Sequence, residues 1–185
     1  MPLSTRITSL AFWIYAPLSV GALAWAWFGQ DRLAWSLSSP WMNTPYAARL
    51  LSSLGMGLAL ALFVIASTPW LLRRAAWARR LHEELKPIIE ELSATEIFVL
   101  ALASGVAEEL FFRGAMQPAL GLLATSLIFG AVHTGPKRVF LWWSMWAFVM
   151  GLAFGAIFEA TGVLWGPVVA HVLVNQRNMT FMKGH

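Results

Sequence analysis

Long apolar runs separated by short polar stretches set the pattern of the chain. Residues 9 to 29 form one such run behind Arg6, and residues 50 to 72 form a second that stops at Arg73 and Arg74. About 20 predominantly apolar residues are needed for a helix to cross the hydrocarbon core. The pattern therefore predicts two N-terminal spans within residues 1–72, separated by a polar loop over 30–49 that carries Pro40, Asn43 and Pro45. The first run is longer than the apolar core of a cleavable signal peptide, which favours a retained anchor.

Residues 73–95 interrupt the apolar pattern. Arg73, Arg74, Arg79, Arg80 and Lys86 alternate with Glu83, Glu84, Glu90 and Glu91, while Trp77, Leu81 and Leu85 fall on one side. Arg79 with Glu83 and Arg80 with Glu84 are one helical turn apart. This is the pattern of an amphipathic helix, placed either on the cytosolic membrane surface or in solution as a connector. Ser93 and Glu96 have capping-box spacing and mark the next helix start. Four helices are then predicted over 96–119, 121–135, 138–159 and 162–177, forming a four-helix core over 96–177. Gly151, Gly155, Gly162 and Gly166 are spaced for close helix contact.

Composition turns these runs into a fold class. The chain of 185 residues is 58% apolar and 12% charged, with a mean hydropathy of +0.64. Backbone polar groups in lipid must be satisfied within the segment, so the expectation is an all-α, polytopic transmembrane bundle of about six spans in a single integral membrane domain, 1–185. Net charge is +4, but the Lys and Arg residues sit singly or in pairs between apolar runs rather than in a patch for nucleic acid. Ten of them fall on the side of the 73–95 segment and only Arg32 and Arg49 on the other, which predicts both termini inside. The bilayer is then the first partner.

Cysteine is absent and aspartate occurs once, as Asp31, which excludes thiol chemistry, disulfides, Cys-ligated metals and a two-aspartate protease. Polar groups concentrate instead in three places: Glu108, Glu109 and Arg113; Phe129 with His133; and His171 with Asn175. A charged side chain inside a span costs about 2.5 to 3.5 kcal/mol even on insertion scales, so these residues are expected to face the bundle interior. Glu109 and Arg113 share a helix face and can neutralise each other, while Glu108 points about 100 degrees away and stays available as a base. With a turn near Leu120 and Gly121, Glu108 and His133 reach the same depth on antiparallel helices. His171 and Asn175 share one face of the last span and point towards them.

A carboxylate, two imidazoles and an amide converging on one point can hydrolyse an amide by activating water and stabilising the oxyanion. Zinc held by His133, His171 and a Glu is an alternative, although HExxH is missing. Ser104-Gly105 lacks the preceding glycine of a GxSG serine site. A non-proteolytic scaffold or a proton-coupled transporter would also place polar groups in a bundle, but a transporter spreads them along a pathway.

The ordered motifs EExxxR, FxxxH and HxxxN, over about residues 96–177, resemble the CPBP family (CAAX protease and bacteriocin-processing, Abi or Rce1-type) of intramembrane glutamate proteases. The resemblance implies a metal-independent endopeptidase without a cofactor, acting near the C-terminus of a membrane-associated protein or peptide. It implies that Glu108 and His133 activate water, that His171 and Asn175 form the oxyanion site, and that Glu109 and Arg113 support the first motif. Its bacterial members include bacteriocin-maturation and immunity proteins, and the expected location is a bacterial inner membrane.

Overall fold

A computed structural model describes residues 3–184, and the side chain of Arg6, one of the cations in the orientation argument, lies outside the described residues. The chain forms an all-α bundle. Helix α1 (Leu3–Ala24) widens into a π-helical turn over Trp25–Gly29, and α2 spans Tyr46–Arg74. The amphipathic α3 covers Ala76–Glu90, followed by α4 (Ala94–Glu109), which continues without a break through a second π-helical segment (Leu110–Met116) into the short α5 (Gln117–Leu120). Helices α6 (Leu122–Val132), α7 (Phe140–Thr161) and α8 (Trp165–Gly184) complete the fold. Among the described residues the only β-type pairing is an isolated bridge between Ser36 and Val163.

Among the described residues, three stretches are long and apolar enough to cross a membrane: Ser9–Gly29, Tyr46–Arg74 and Phe140–Thr161. Their outward faces carry large apolar side chains such as Trp13 (67% exposed), Leu51 (71%) and Phe63 (69%). Exposure on that scale suits lipid and would be unfavourable in water. The chain is thus an integral membrane protein.

Helix α8 is the central strut, packing against α2, α3, α4 and α7. One apolar cluster joins Ala61 and Val64 of α2, Met150 and Phe154 of α7, and Ala170 and Val174 of α8. Small residues allow the close approaches. A Cβ on Gly105 of α4 would lie 2.6 Å from Val172 Cγ2 and 3.0 Å from the Val172 amide nitrogen of α8. Gly166 likewise packs on the Ser53 backbone of α2. Gly162, expected as a packing glycine, ends α7 instead, with φ 65° in the left-handed region.

The 31–45 loop closes the end of α7, whose last carbonyls lack partners within the helix. Trp41 N donates to Glu159 O (2.9 Å), Met42 N to Ala160 O (2.9 Å), Leu37 N to Gly162 O (3.0 Å) and Arg49 Nη1 to Thr161 O (3.0 Å). The capping box at Ser93 forms as its spacing predicts, with Glu96 N bound to Ser93 Oγ and Ser93 N to Glu96 Oε2. The charge pairing on α3 differs from the i,i+4 expectation. Arg79 donates to Leu72 O and Arg73 O at the end of α2, and Glu84 pairs with Lys137 at 2.6 Å.

Because Gly105 lets α4 meet α8, Gly105→Leu is expected to destabilise the protein by roughly 1 to 3 kcal/mol through overpacking. Gly21→Leu, at a position with nothing within 4 Å of an added Cβ, should be tolerated. Thermal melting in detergent distinguishes the two, and equal melting temperatures would remove the packing role of Gly105.

Candidate active site

Glu108 and Glu109 are the last residues of α4, at the entry to the second π-helical segment. Both are buried, as is Arg113 within that segment. Arg113 Nη1 donates to Glu109 Oε1 at 3.1 Å, the pairing expected from their spacing. Its Nη2 donates to Gly151 O of α7 at 3.3 Å, and its guanidinium carbon lies 4.3 Å from the centre of the Phe129 ring of α6. A charge that could not exist unpaired in this interior therefore draws α4, α6 and α7 together.

Helix α6 stops one residue before His133, three short of the expected end, and this early stop shapes the site. His133 N turns back to Gly130 O (3.1 Å) rather than to Phe129 O. The Phe129 carbonyl is left for the imidazole, whose Nδ1 donates to it at 2.6 Å. A carbonyl can only accept, so Nδ1 carries a proton and Nε2 faces away from α6. That Nε2 lies 3.4 Å from Glu108 Oε2.

His171 is held in the same way from α8. Its Nδ1 donates to Glu109 Oε1 at 2.8 Å, and its Nε2 lies 4.0 Å from Glu108 Oε2. The ring stacks on Phe154 (centroids 5.3 Å, 18° between planes) and meets the Phe129 ring edge-on at 6.1 Å. Glu109 thus serves two partners, Arg113 and His171. Glu108 Oε2 makes no hydrogen bond to a protein group and faces two imidazole nitrogens.

Asn175, one turn after His171, is placed differently from the other three. Its Nδ2 donates to Ser104 Oγ at 3.0 Å, and the second N–H of the amide is left for an incoming group. Ser104, weighed above only as a nucleophile, instead orients Asn175. It sits four residues before Glu108 on the same side of α4, a spacing visible in the sequence without indicating its partner. Phe154 was not singled out, since one Phe in an apolar run carries no signal.

Accessibility falls steadily across the cluster. The side chain of His133 is 19% exposed, Glu108 10%, His171 7%, Arg113 1% and Glu109 0%. The site is open on the His133 side and sealed at the Glu109–Arg113 pair. Among the described residues no three His, Cys, Asp or Glu side chains are grouped to hold a metal ion.

Residues 89–176 match the family described as type II CAAX prenyl endopeptidase Rce1-like. That stretch, just under half of the chain, is similar to the family. All seven residues named above from the three motifs fall inside the match, whereas α1 and α2 lie outside it. The chain is also similar to the uncharacterized protein YpbD of Bacillus subtilis (strain 168), 36% identical over 92 residues, which is 49% of this chain and 47% of that protein. The chain spans about half the length of this curated relative. No solved structure matches it.

Removing one partner of a buried ion pair costs about 3 to 5 kcal/mol. Glu109→Gln is expected to lose stability on that scale, because it leaves Arg113 unneutralised and weakens the hold on His171. The double variant Glu109→Met, Arg113→Met should lose less, and denaturation in detergent measures both. A double variant as unstable as Glu109→Gln would show that shape, not charge, governs this spot.

Proposed function

We propose that the protein is an intramembrane endopeptidase that hydrolyses a peptide bond near the C-terminus of a membrane-associated protein or peptide. One observation carries this reading: Glu108 Oε2, buried and without a protein hydrogen-bond partner, faces His133 Nε2 at 3.4 Å and His171 Nε2 at 4.0 Å. With His133 Nδ1 committed as a donor, Glu108 Oε2 and the Nε2 of a neutral His133 face each other as two acceptors. A water molecule resolves that arrangement by donating to Glu108 and to His133, which leaves its lone pair for the scissile carbonyl.

In this reading Glu108 takes the water proton as the C–O bond forms and returns it to the leaving nitrogen as the C–N bond breaks. His171, in its protonated form, donates from Nε2 to the oxyanion, with Glu109 balancing the imidazolium from behind. The second N–H of Asn175 is the other donor. Substrate enters on the His133 side, where the cluster is most exposed. The Rce1-like match supports a substrate cleaved near its C-terminus. We place the protein in a bacterial inner membrane with both termini inside, the orientation resting on the distribution of its Lys and Arg residues.

Glu108→Gln keeps the shape but cannot accept the proton, so it is expected to abolish turnover while the protein still inserts and folds. Comparing the membrane proteomes of cells carrying wild type and Glu108→Gln for shortened C-termini checks this and identifies substrates. Identical proteomes would leave a scaffold role for the same bundle.

The reaction as written needs no metal. Treatment of the purified wild-type protein with a chelator is expected to leave its rate unchanged. Stoichiometric zinc in the preparation, with activity lost on stripping and regained on return of zinc, would instead make Glu108, His133 and His171 the ligand set.

A further inference from the structure

Helix α2 ends at Arg74, and Ala75 adopts an extended backbone (φ −111°, ψ 116°) that turns α3 away from it. The elbow holds an open cavity of about 540 Å³, lined by Leu72 and Arg73 from the end of α2 and by Arg79, His82, Glu83 and Lys86 from α3. The four α3 residues follow the i, i+3, i+4, i+7 spacing of a single helix face. The neighbouring cations Arg74 and Arg80 do not line the cavity.

Three permanent cations in this lining face one carboxylate, so the cavity attracts anions. Carbonyls at a helix C-terminus would oppose that attraction. Here Arg79 Nη1 donates to Leu72 O (3.0 Å) and Arg73 O (3.1 Å), which covers two of them. The same two bonds hold the guanidinium in place, with Nε and Nη2 still able to donate. Lys86 pairs with Glu90 at 3.5 Å across one exposed helical turn, a contact that an anion can displace at little cost. His82 meets Phe181 of α8 edge-on (ring centroids 6.2 Å), which backs the α3 wall.

The position of the cavity selects among anions. It lies at the end of a 29-residue apolar helix long enough to cross the membrane, at the level of the phospholipid head groups. Trp70, three residues before Arg73 and on the same side of α2, is 56% exposed, so an apolar surface continues from the cavity along the span. A soluble anion would engage the cations and leave that surface unused. A phospholipid engages both, with its phosphate among the cations and its chains along α2.

We infer that the α2–α3 elbow binds the head group of an anionic phospholipid, with the phosphate received by Arg73, Arg79 and Lys86. The site is separate from the Glu108 cluster and stands independently of the hydrolytic reading. It pins to the lipid surface the same helix whose Glu84 pairs with Lys137.

The test is titration of the protein, purified in a neutral detergent, with dioleoylphosphatidylglycerol or dioleoylphosphatidylcholine, counting lipid-bound species by native mass spectrometry. We expect one phosphatidylglycerol to bind more tightly than any phosphatidylcholine, and to stay bound in excess inorganic phosphate. Arg73→Gln with Lys86→Gln, which leaves the Arg79 contacts to α2 in place, should weaken that binding about thirtyfold, at roughly fivefold per cation beside a head group. Arg74→Gln with Arg80→Gln removes the same charge from the same segment but outside the cavity, and should leave the binding unchanged. Equal weakening by the two pairs, or no preference for phosphatidylglycerol in the wild type, overturns the inference. Displacement of the lipid by inorganic phosphate overturns it as well, since the elbow would then be a site for soluble anions.

Discussion

The Glu109 carboxylate, completely enclosed, is shared by Arg113 and His171, and the placement of the remaining helices follows from it. At an effective dielectric of about 20, two unit charges 3 Å apart attract by roughly 5 kcal/mol, which is of the same order as the desolvation cost of each ion. The pair is therefore close to neutral for stability. Its effect is geometric: the alternatives, an unpaired Arg113 or an unpaired Glu109, are each strongly unfavourable. Only packings that bring α4 and its π-helical continuation to α8 satisfy both groups. Gly151 O, which accepts from Nη2, and the Phe129 ring, over which the guanidinium lies, add α7 and α6 to the same constraint.

The N-terminal half acts as the counterpart of that constraint. Gln30 Nε2 donates to Ala115 O at 2.7 Å, and Arg32 Nη2 reaches Gly114 O, so the wide turn that carries Arg113 is held from outside by the residues that follow α1. The same loop then crosses to the end of α7 and satisfies its last carbonyls. π-Helical turns are frequent at functional sites. Here the turn sits directly after the two glutamates, braced by polar groups from a segment that the apolar pattern marks only as a linker.

What could be read from the sequence is what depends on local spacing. Apolar runs predicted the helices, Ser93 and Glu96 the start of α4, and the four-residue steps the Glu109–Arg113 pair. Each of these involves residues within one turn of each other. The features that escaped depend on contacts distant in the chain or on how a helix ends. Nothing in the order of residues 110–116 announces a π-helical turn, and the release of the Phe129 carbonyl follows from α6 ending before His133. Asn175 with Ser104 and Glu84 with Lys137 are 71 and 53 residues apart. In the last case the expected local partner, Arg80, lost to a distant one.

Helix α3 keeps one ion pair along its own length, Lys86 with Glu90 at 3.5 Å, and its other links reach distant parts of the chain. Trp77 stacks on Trp142 of α7 at 5.7 Å with 17° between the rings, Glu84 meets Lys137 in the loop that follows His133, and Lys183 of α8 donates to Glu90 O and Leu92 O. An exposed ion pair contributes about 1 kcal/mol at most, whereas an aromatic pair adds about 0.5 to 1.5 kcal/mol beyond the area it buries and keeps that in salt. The indole stack is thus the firmer of the two links, and the ion pair chooses the register. Since Lys137 lies four residues from His133, the most exposed member of the cluster, α3 is attached to the loop beside the open side of the site rather than to its sealed end.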